Sequence, residues 1–217
     1  MKRLAERDLL GRRTFDWQVV QRMNEPPTYV FTAHRTPQDA AKGLRPIDNE
    51  DDARFAIHYR AEYHVRTLAG EDRFATLTVL RVDVLGARYP YEGPVGWVVK
   101  TSESKTPWSP HFARGLPVCN GSVWRSDGQV LLAHYLVHLA RLLNWDERLP
   151  SGYGGYNPAA ISWWRKHRNK PLDPVLRYPK LAAELLYGEA AGSEESGFRA
   201  RGRSAVRPAQ AGFRKIG

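Results

Sequence analysis

Arg54-Phe55-Ala56-Ile57-His58-Tyr59-Arg60-Ala61-Glu62-Tyr63-His64-Val65-Arg66 is the stretch on which the reading of this chain turns. Phe55, Ile57, Tyr59, Ala61, Tyr63 and Val65 fall on one face, and Arg54, Ala56, His58, Arg60, Glu62, His64 and Arg66 on the other. Period two sustained this long predicts one half-buried antiparallel strand, because successive strand side chains point to opposite faces. Working outward, Gly70-Glu71-Asp72 predicts a turn, Phe74 to Val84 a second strand and Val95 to Lys100 a third. Tyr29 to Ala33 reads as a short strand ahead of them, and Thr36 to Asp52 between as a surface loop. Strands joined by short turns predict an antiparallel meander of about four strands with one face left for a helix.

Thr14 suits the N-cap of a helix that buries Phe15, Val19, Val20 and Met23, and Asn24 with Pro26-Pro27 ends it. Gly11 is expected to separate that helix from a basic helical start at Lys2 to Leu10. Gln129–Asn144, capped by Ser126 or Asp127, is apolar around most of its circumference and predicts a central helix packed on the sheet. Pro150 to Pro158 reads as a Gly/Tyr loop, and Ala159 to His167 and Pro179 to Tyr187 as short C-terminal helices. The expected class is α+β, with one domain over residues 1–187. Residues 188–217 are Gly-, Ala-, Ser- and Arg-rich with few apolar positions, the composition of a disordered basic tail.

A chain of 217 residues, 42% hydrophobic and with seven Trp, can bury a sizeable core. No apolar run approaches the roughly 20 residues of a membrane span. The start, Met1-Lys2-Arg3-Leu4-Ala5-Glu6-Arg7-Asp8, is charged and lacks the apolar run of an export signal. With a single cysteine besides, the cytoplasm is the expected compartment. Net charge is +10, which points to acidic partners or nucleic acid. Six Lys/Arg and no acid lie between Arg199 and Gly217, so much of that signal is one tail. General electrostatic contact with nucleic acid is the most it supports.

Cys119 is the lone cysteine, so it forms no disulfide framework and is not by itself a zinc knuckle. It either packs as a small hydrophobe or does chemistry. His134 and His138 share a helix face, but no acidic ligand stands beside them on that helix. No metal and no cofactor are expected.

The context of Cys119 carries a resemblance. Tyr89-Pro90-Tyr91-Glu92-Gly93-Pro94 is similar to the Tyr-Pro-Phe-x-x-Pro turn of ubiquitin-conjugating enzymes. Ser109-Pro110-His111-Phe112 stands where that family has His-Pro-Asn and an apolar residue. Gly115-Leu116-Pro117-Val118-Cys119 resembles its Gly-x-Ile-Cys stretch with one extra residue, and Leu136 to Asn144 matches its central helix. The resemblance covers roughly residues 14 to 147. His111 replaces the family's Asn and Ser109 its His, and the C-terminal helices give way to a Gly/Tyr loop followed by Trp163-Trp164. This divergence looks like the bacterial branch of the family, encoded beside an activating enzyme and a ubiquitin-like protein in antiviral defence loci.

The resemblance implies a transferase that accepts a ubiquitin-like protein from an adenylating (activating) enzyme as a thioester on Cys119 and passes it to an amine of an acceptor protein. His111 would meet the oxyanion of the tetrahedral intermediate or take the amine proton, unless it only braces its own loop. Asn120 is a second candidate donor, with plain loop capping as its alternative. Lys2, Arg3, Arg7, Arg12 and Arg13 would offer a basic face to the activating enzyme, or simply be solvated. Two other readings stand. Cys119-Asn120-Gly121-Ser122-Val123-Trp124-Arg125-Ser126 satisfies a cysteine-phosphatase loop, in which backbone N–H groups cradle a phosphate and Arg125 clamps it. Against it, Gly115 to Val118 is too short and proline-containing for the buried parallel strand such a loop follows. The third reading is a non-catalytic module that binds ubiquitin-like proteins.

Overall fold

The structure is a computed structural model that describes residues 6–23, 31–35, 57–71, 73–84, 86, 88–120, 123–124, 128, 130–146, 154–167 and 172; for residues 6, 7, 22 and 31–35 the description is of the backbone. It is an α+β arrangement. Four strands form an antiparallel sheet: β1 (Phe31–Arg35), β2 (Ile57–Tyr63), β5 (Thr78–Val84) and β6 (Val95–Thr101), in the order β1-β2-β5-β6. Two short strands, β3 (Thr67–Leu68) and β4 (Phe74–Ala75), pair separately. The helices are α1 (Glu6–Met23), α2 (Leu132–Leu143) and α3 (Pro158–His167).

The alternation that predicts β2 is present as burial: Ile57, Tyr59, Ala61, Tyr63 and Val65 are buried, while Arg60, His64 and Arg66 are exposed. The strand is shorter than expected. It ends at Tyr63, and Thr67 and Leu68 pair with Ala75 and Phe74 instead. The strand expected over 74–84 breaks between β4 and β5. There Ser102 accepts the Thr76 N–H on its Oγ (3.2 Å) and donates its own N–H to the Leu77 carbonyl (2.9 Å), drawing the chain toward the end of β6.

Gly11 does not interrupt α1, contrary to expectation. Leu9, Arg13, Asp16, Val20 and Met23 are buried at steps of three and four, so one buried face runs through the glycine. A mid-helix Gly costs about 1 kcal/mol, which tertiary packing of this face offsets. Phe15, expected in the core, lies on the opposite side and is 48% exposed.

Every residue of α2 except His134 is buried. Each fully buried Leu there contributes roughly 1.5–3 kcal/mol, so Leu136→Ala or Leu139→Ala would unsettle the whole domain. Gly96 of β6 permits the close approach: a Cβ there would lie 3.2 Å from both the Tyr135 hydroxyl and Val118. The helix begins at Leu132, later than expected, and the caps expected at Ser126 or Asp127 lie outside the described residues. Leu131 donates its N–H to Nδ1 of His134 (2.8 Å), and Leu132 donates its N–H to Oδ1 of Asp16 on α1 (3.2 Å). The cap is thus supplied from another helix.

A second apolar cluster joins Leu68, Trp145, Ala160 and Trp164, flanked by Trp108 and Trp163. Trp145 follows α2 with φ +59°, a left-handed conformation unusual for a bulky side chain, held in place by ring contacts to Trp163 (5.0 Å) and Trp108 (6.2 Å). Asn157 starts α3 by accepting the Ala160 N–H on Oδ1 (3.1 Å), with Pro158 in the first helical position. The helix expected at Pro179 to Tyr187 and the tail at 188–217 lie outside the described residues. No helix among the described residues is long and apolar enough to cross a membrane.

Candidate active site

Edge strand β6 positions the cysteine. Pro117 forms a single antiparallel bridge with Trp97, and Val118 donates its N–H to the Gly96 carbonyl at 2.7 Å. Pro117 has no N–H to extend the pairing, so the chain leaves the sheet at Cys119. The preceding loop turns at Gly115, whose φ of +73° favours glycine, and returns to the Pro-His segment. Residues 111 and 119 then exchange two hydrogen bonds. Cys119 N–H donates to the His111 carbonyl (2.9 Å), and His111 Nδ1 donates to the Cys119 carbonyl (2.9 Å). Cys119 itself is half-buried.

His111 is 8% exposed, and burial lowers its pKa below 6.5. The neutral ring carries one N–H. A carbonyl partner places that proton on Nδ1, so Nε2 carries a lone pair. The fully buried Ser109 braces the same loop by accepting the His111 backbone N–H on Oγ (3.3 Å). His111 therefore braces its own loop, and its one ring N–H is committed to the Cys119 carbonyl.

Asn120 donates from Nδ2 to the Tyr135 hydroxyl (3.3 Å), and its carbonyl accepts from His138 Nε2 (3.1 Å). Burial, the Arg141 guanidinium and His111 together push the His138 pKa down to about 4. Cys119, His111 and Asn120 are thus brought together as the sequence suggests, with His138 and Tyr135 added from α2. The signal for His138 was in the sequence: it is a polar ring flanked by the apolar residues Tyr135, Leu136, Val137, Leu139 and Ala140 of a helix. His134 turns to the Leu131 N–H, so the two helix histidines serve different backbone groups. Among the described residues no group of three His, Cys, Asp or Glu could hold a metal.

The expected basic docking face needs correction at two positions. Arg12 and Arg13 turn inward. Arg12 donates to Asp16 Oδ2 (2.8 Å), to the Val130 carbonyl (2.5 Å) and to the Gly128 carbonyl, while Arg13 is 2% exposed and donates to the Gly86 carbonyl (3.2 Å). Their physical role is to satisfy buried carbonyls and a buried carboxylate. Lys2 and Arg3, and the side chain of Arg7, lie outside the described part.

Tyr89 donates its hydroxyl to Asp16, and burial raises the pKa of both groups. The Tyr89–Pro90 bond is cis. Trp124 donates from Nε1 to the Pro90 carbonyl (2.8 Å) and stacks edge-on against Tyr135 (6.3 Å), tying the segment after Cys119 to the Tyr-Pro turn. Residues 121–122 and 125–127, including Arg125, lie outside the described part. With this geometry in hand, comparison with known proteins adds nothing: no family model, curated protein or solved structure matches the chain.

Proposed function

We propose that this chain is a ubiquitin-conjugating-like transferase: it accepts a ubiquitin-like protein from an adenylating enzyme as a thioester on Cys119 and transfers it to an amine of an acceptor protein. The observation that carries the reading is the reciprocal pair of hydrogen bonds between His111 and Cys119, beside the edge of a four-stranded antiparallel sheet and beneath a buried helix. It presents a half-exposed thiol on a braced loop, which suits exchange with an already activated acyl group. The order of elements, from N-terminal helix through meander, Tyr-Pro turn and cysteine to central helix, supports the ubiquitin-conjugating-like fold. The resemblance extends the proposal to a bacterial antiviral system working in the cytoplasm, with any nucleic-acid contact left to the basic tail.

The phosphatase reading draws less support. The segment before Cys119 makes one antiparallel bridge, not a buried parallel strand. The N-terminus of α2, where a phosphate would gain from the helix dipole, already holds the Asp16 carboxylate. The non-catalytic module leaves the braced thiol unused.

The test is charging. With its adenylating enzyme, ATP and ubiquitin-like protein, the chain should form an adduct that a reducing agent cleaves. Cys119→Ser should give a more stable ester or nothing, and Cys119→Ala nothing. An adduct persisting in Cys119→Ala overturns the proposal, as does aryl-phosphate turnover that vanadate inhibits and Arg125→Lys abolishes.

A further inference from the structure

The carbonyls of Cys119 and Asn120 are both held by imidazole N–H groups, His111 Nδ1 at 2.9 Å and His138 Nε2 at 3.1 Å. The Cys119–Asn120 bond is trans, the cis bond among the described residues being Tyr89–Pro90. In a planar trans peptide the N–H points opposite to the C=O. Fixing the Cys119 carbonyl on buried His111 therefore turns the Asn120 N–H the other way, off the imidazole. The two preceding N–H groups, of Val118 and Cys119, are both bonded. The N–H of Asn120 has no acceptor among the described residues, and the residue is only half-buried.

We infer that the backbone N–H of Asn120 is the oxyanion donor for acyl transfer at Cys119, with His111 and His138 as positioning residues that aim it. The inference rests on the acyl-transfer reading above. An N–H on the residue after a nucleophile is well placed for an acyl oxygen on that nucleophile, as in hydrolases whose oxyanion hole begins there. In the step it serves, the amine lone pair forms a C–N bond to the thioester carbon and the carbonyl π pair becomes the oxyanion. Collapse of that oxyanion breaks the C–S bond, Cys119 leaves as thiolate, and the ammonium proton passes to solvent. His111 is a poor alternative donor because its one ring N–H is already given to the Cys119 carbonyl. Two rings that stay neutral hold the loop without placing a competing cation beneath the thiol.

Because Cys119 is the only thiol, the full-length chain can be S-acetylated there with a small acetyl thioester, without any activating enzyme, and its aminolysis by hydroxylamine followed. Replacing residue 120 with the α-hydroxy-acid analogue of asparagine converts the 119–120 amide to an ester, which deletes the N–H and weakens the Cys119 carbonyl as an acceptor for His111, a loss that His111→Ala measures separately. Aminolysis should slow by about 10²–10³-fold, the loss seen when one oxyanion donor is removed. Alkylation by iodoacetamide, which builds no oxyanion, corrects for thiol access. His111→Ala and His138→Ala should each slow aminolysis, and His111→Asn and His138→Gln, whose amides donate from nearly the positions of Nδ1 and Nε2, should restore it. An ester chain aminolysed as fast as the native chain overturns the inference. Should the ester chain not fold, equal slowing in the alanine and amide variants overturns it instead. Loss of conjugation with the acetyl result intact would break the functional reading and leave this inference standing.

Discussion

At the N-terminus of α2, the Asp16 carboxylate gathers the Arg12 guanidinium, the Tyr89 hydroxyl and the Leu132 N–H from three parts of the chain. Less than two turns further along the same helix, His138 holds a single carbonyl, that of Asn120. The first cluster is built from buried charge, and every lone pair of the carboxylate is needed to offset its desolvation. The second is built from neutral rings, each giving its one N–H to a backbone carbonyl. That difference matches their positions. The charged junction lies in the interior, where it joins α1, α2 and the Tyr-Pro turn, whereas the neutral latch sits beside a half-exposed thiol.

The largest effect is expected at the junction. Asp16→Ala leaves the part-buried Arg12 head group with the Val130 and Gly128 carbonyls alone, strips the Tyr89 hydroxyl and the helix N–H of their acceptor, and should cost about 3–5 kcal/mol in denaturant unfolding. A loss below about 1 kcal/mol would mean that the junction behaves like a surface pair.

The two clusters should also answer to pH in opposite senses. His138 has a pKa of about 4 in the folded chain against 6.5 when unfolded. Between those values the unfolded state binds more protons, so stability is full above pH 6.5 and falls as pH drops toward 4, by roughly 3 kcal/mol. Asp16, with its pKa raised by burial, contributes in the other direction: its share is present below the ordinary carboxylate pKa and is lost as pH rises through the raised value. His138→Gln keeps an N–H donor but cannot titrate, so unfolding curves from pH 7 to 4 should lose the His138 share of the wild-type slope and keep the share of His111, whose pKa burial also lowers. An unchanged slope would remove His138 as its source.

The smallest effect probes the tie between the clusters. Trp124 lies against Gly93, where a Cβ would stand 2.5 Å from the indole Cγ. Gly93→Ala should therefore cost about 1–3 kcal/mol by overpacking. If Trp124 holds the post-cysteine segment to the Tyr-Pro turn, the same variant should change the iodoacetamide rate at Cys119. A destabilised variant with an unchanged rate would confine Trp124 to a packing role.

Much of the sheet was legible because alternation is local. Val65 continues the pattern past β2, but where the strand ends depended on β3 choosing β4 as partner. Cys119 and His111 were singled out by the resemblance of the motifs around them, yet which atom of His111 is occupied could not be read from those motifs, since the Cys119 carbonyl arrives from eight residues away. Arg12 and Arg13 looked like a solvated basic run because charge in sequence says nothing about which carbonyls lie inside.

The chain's own sequence determined the face of β2 that is buried, the apolar circumference of α2 and the closing turn at Gly115. These follow from side-chain period and backbone freedom within a few residues. Tertiary structure alone decided where α2 begins, because its cap is Asp16, 116 residues away from Leu132. It also decided that two arginines face inward and that two histidines stay neutral beneath the cysteine loop. Burial and hydrogen-bond partners belong to groups brought together by folding, and no spacing along the chain encodes them.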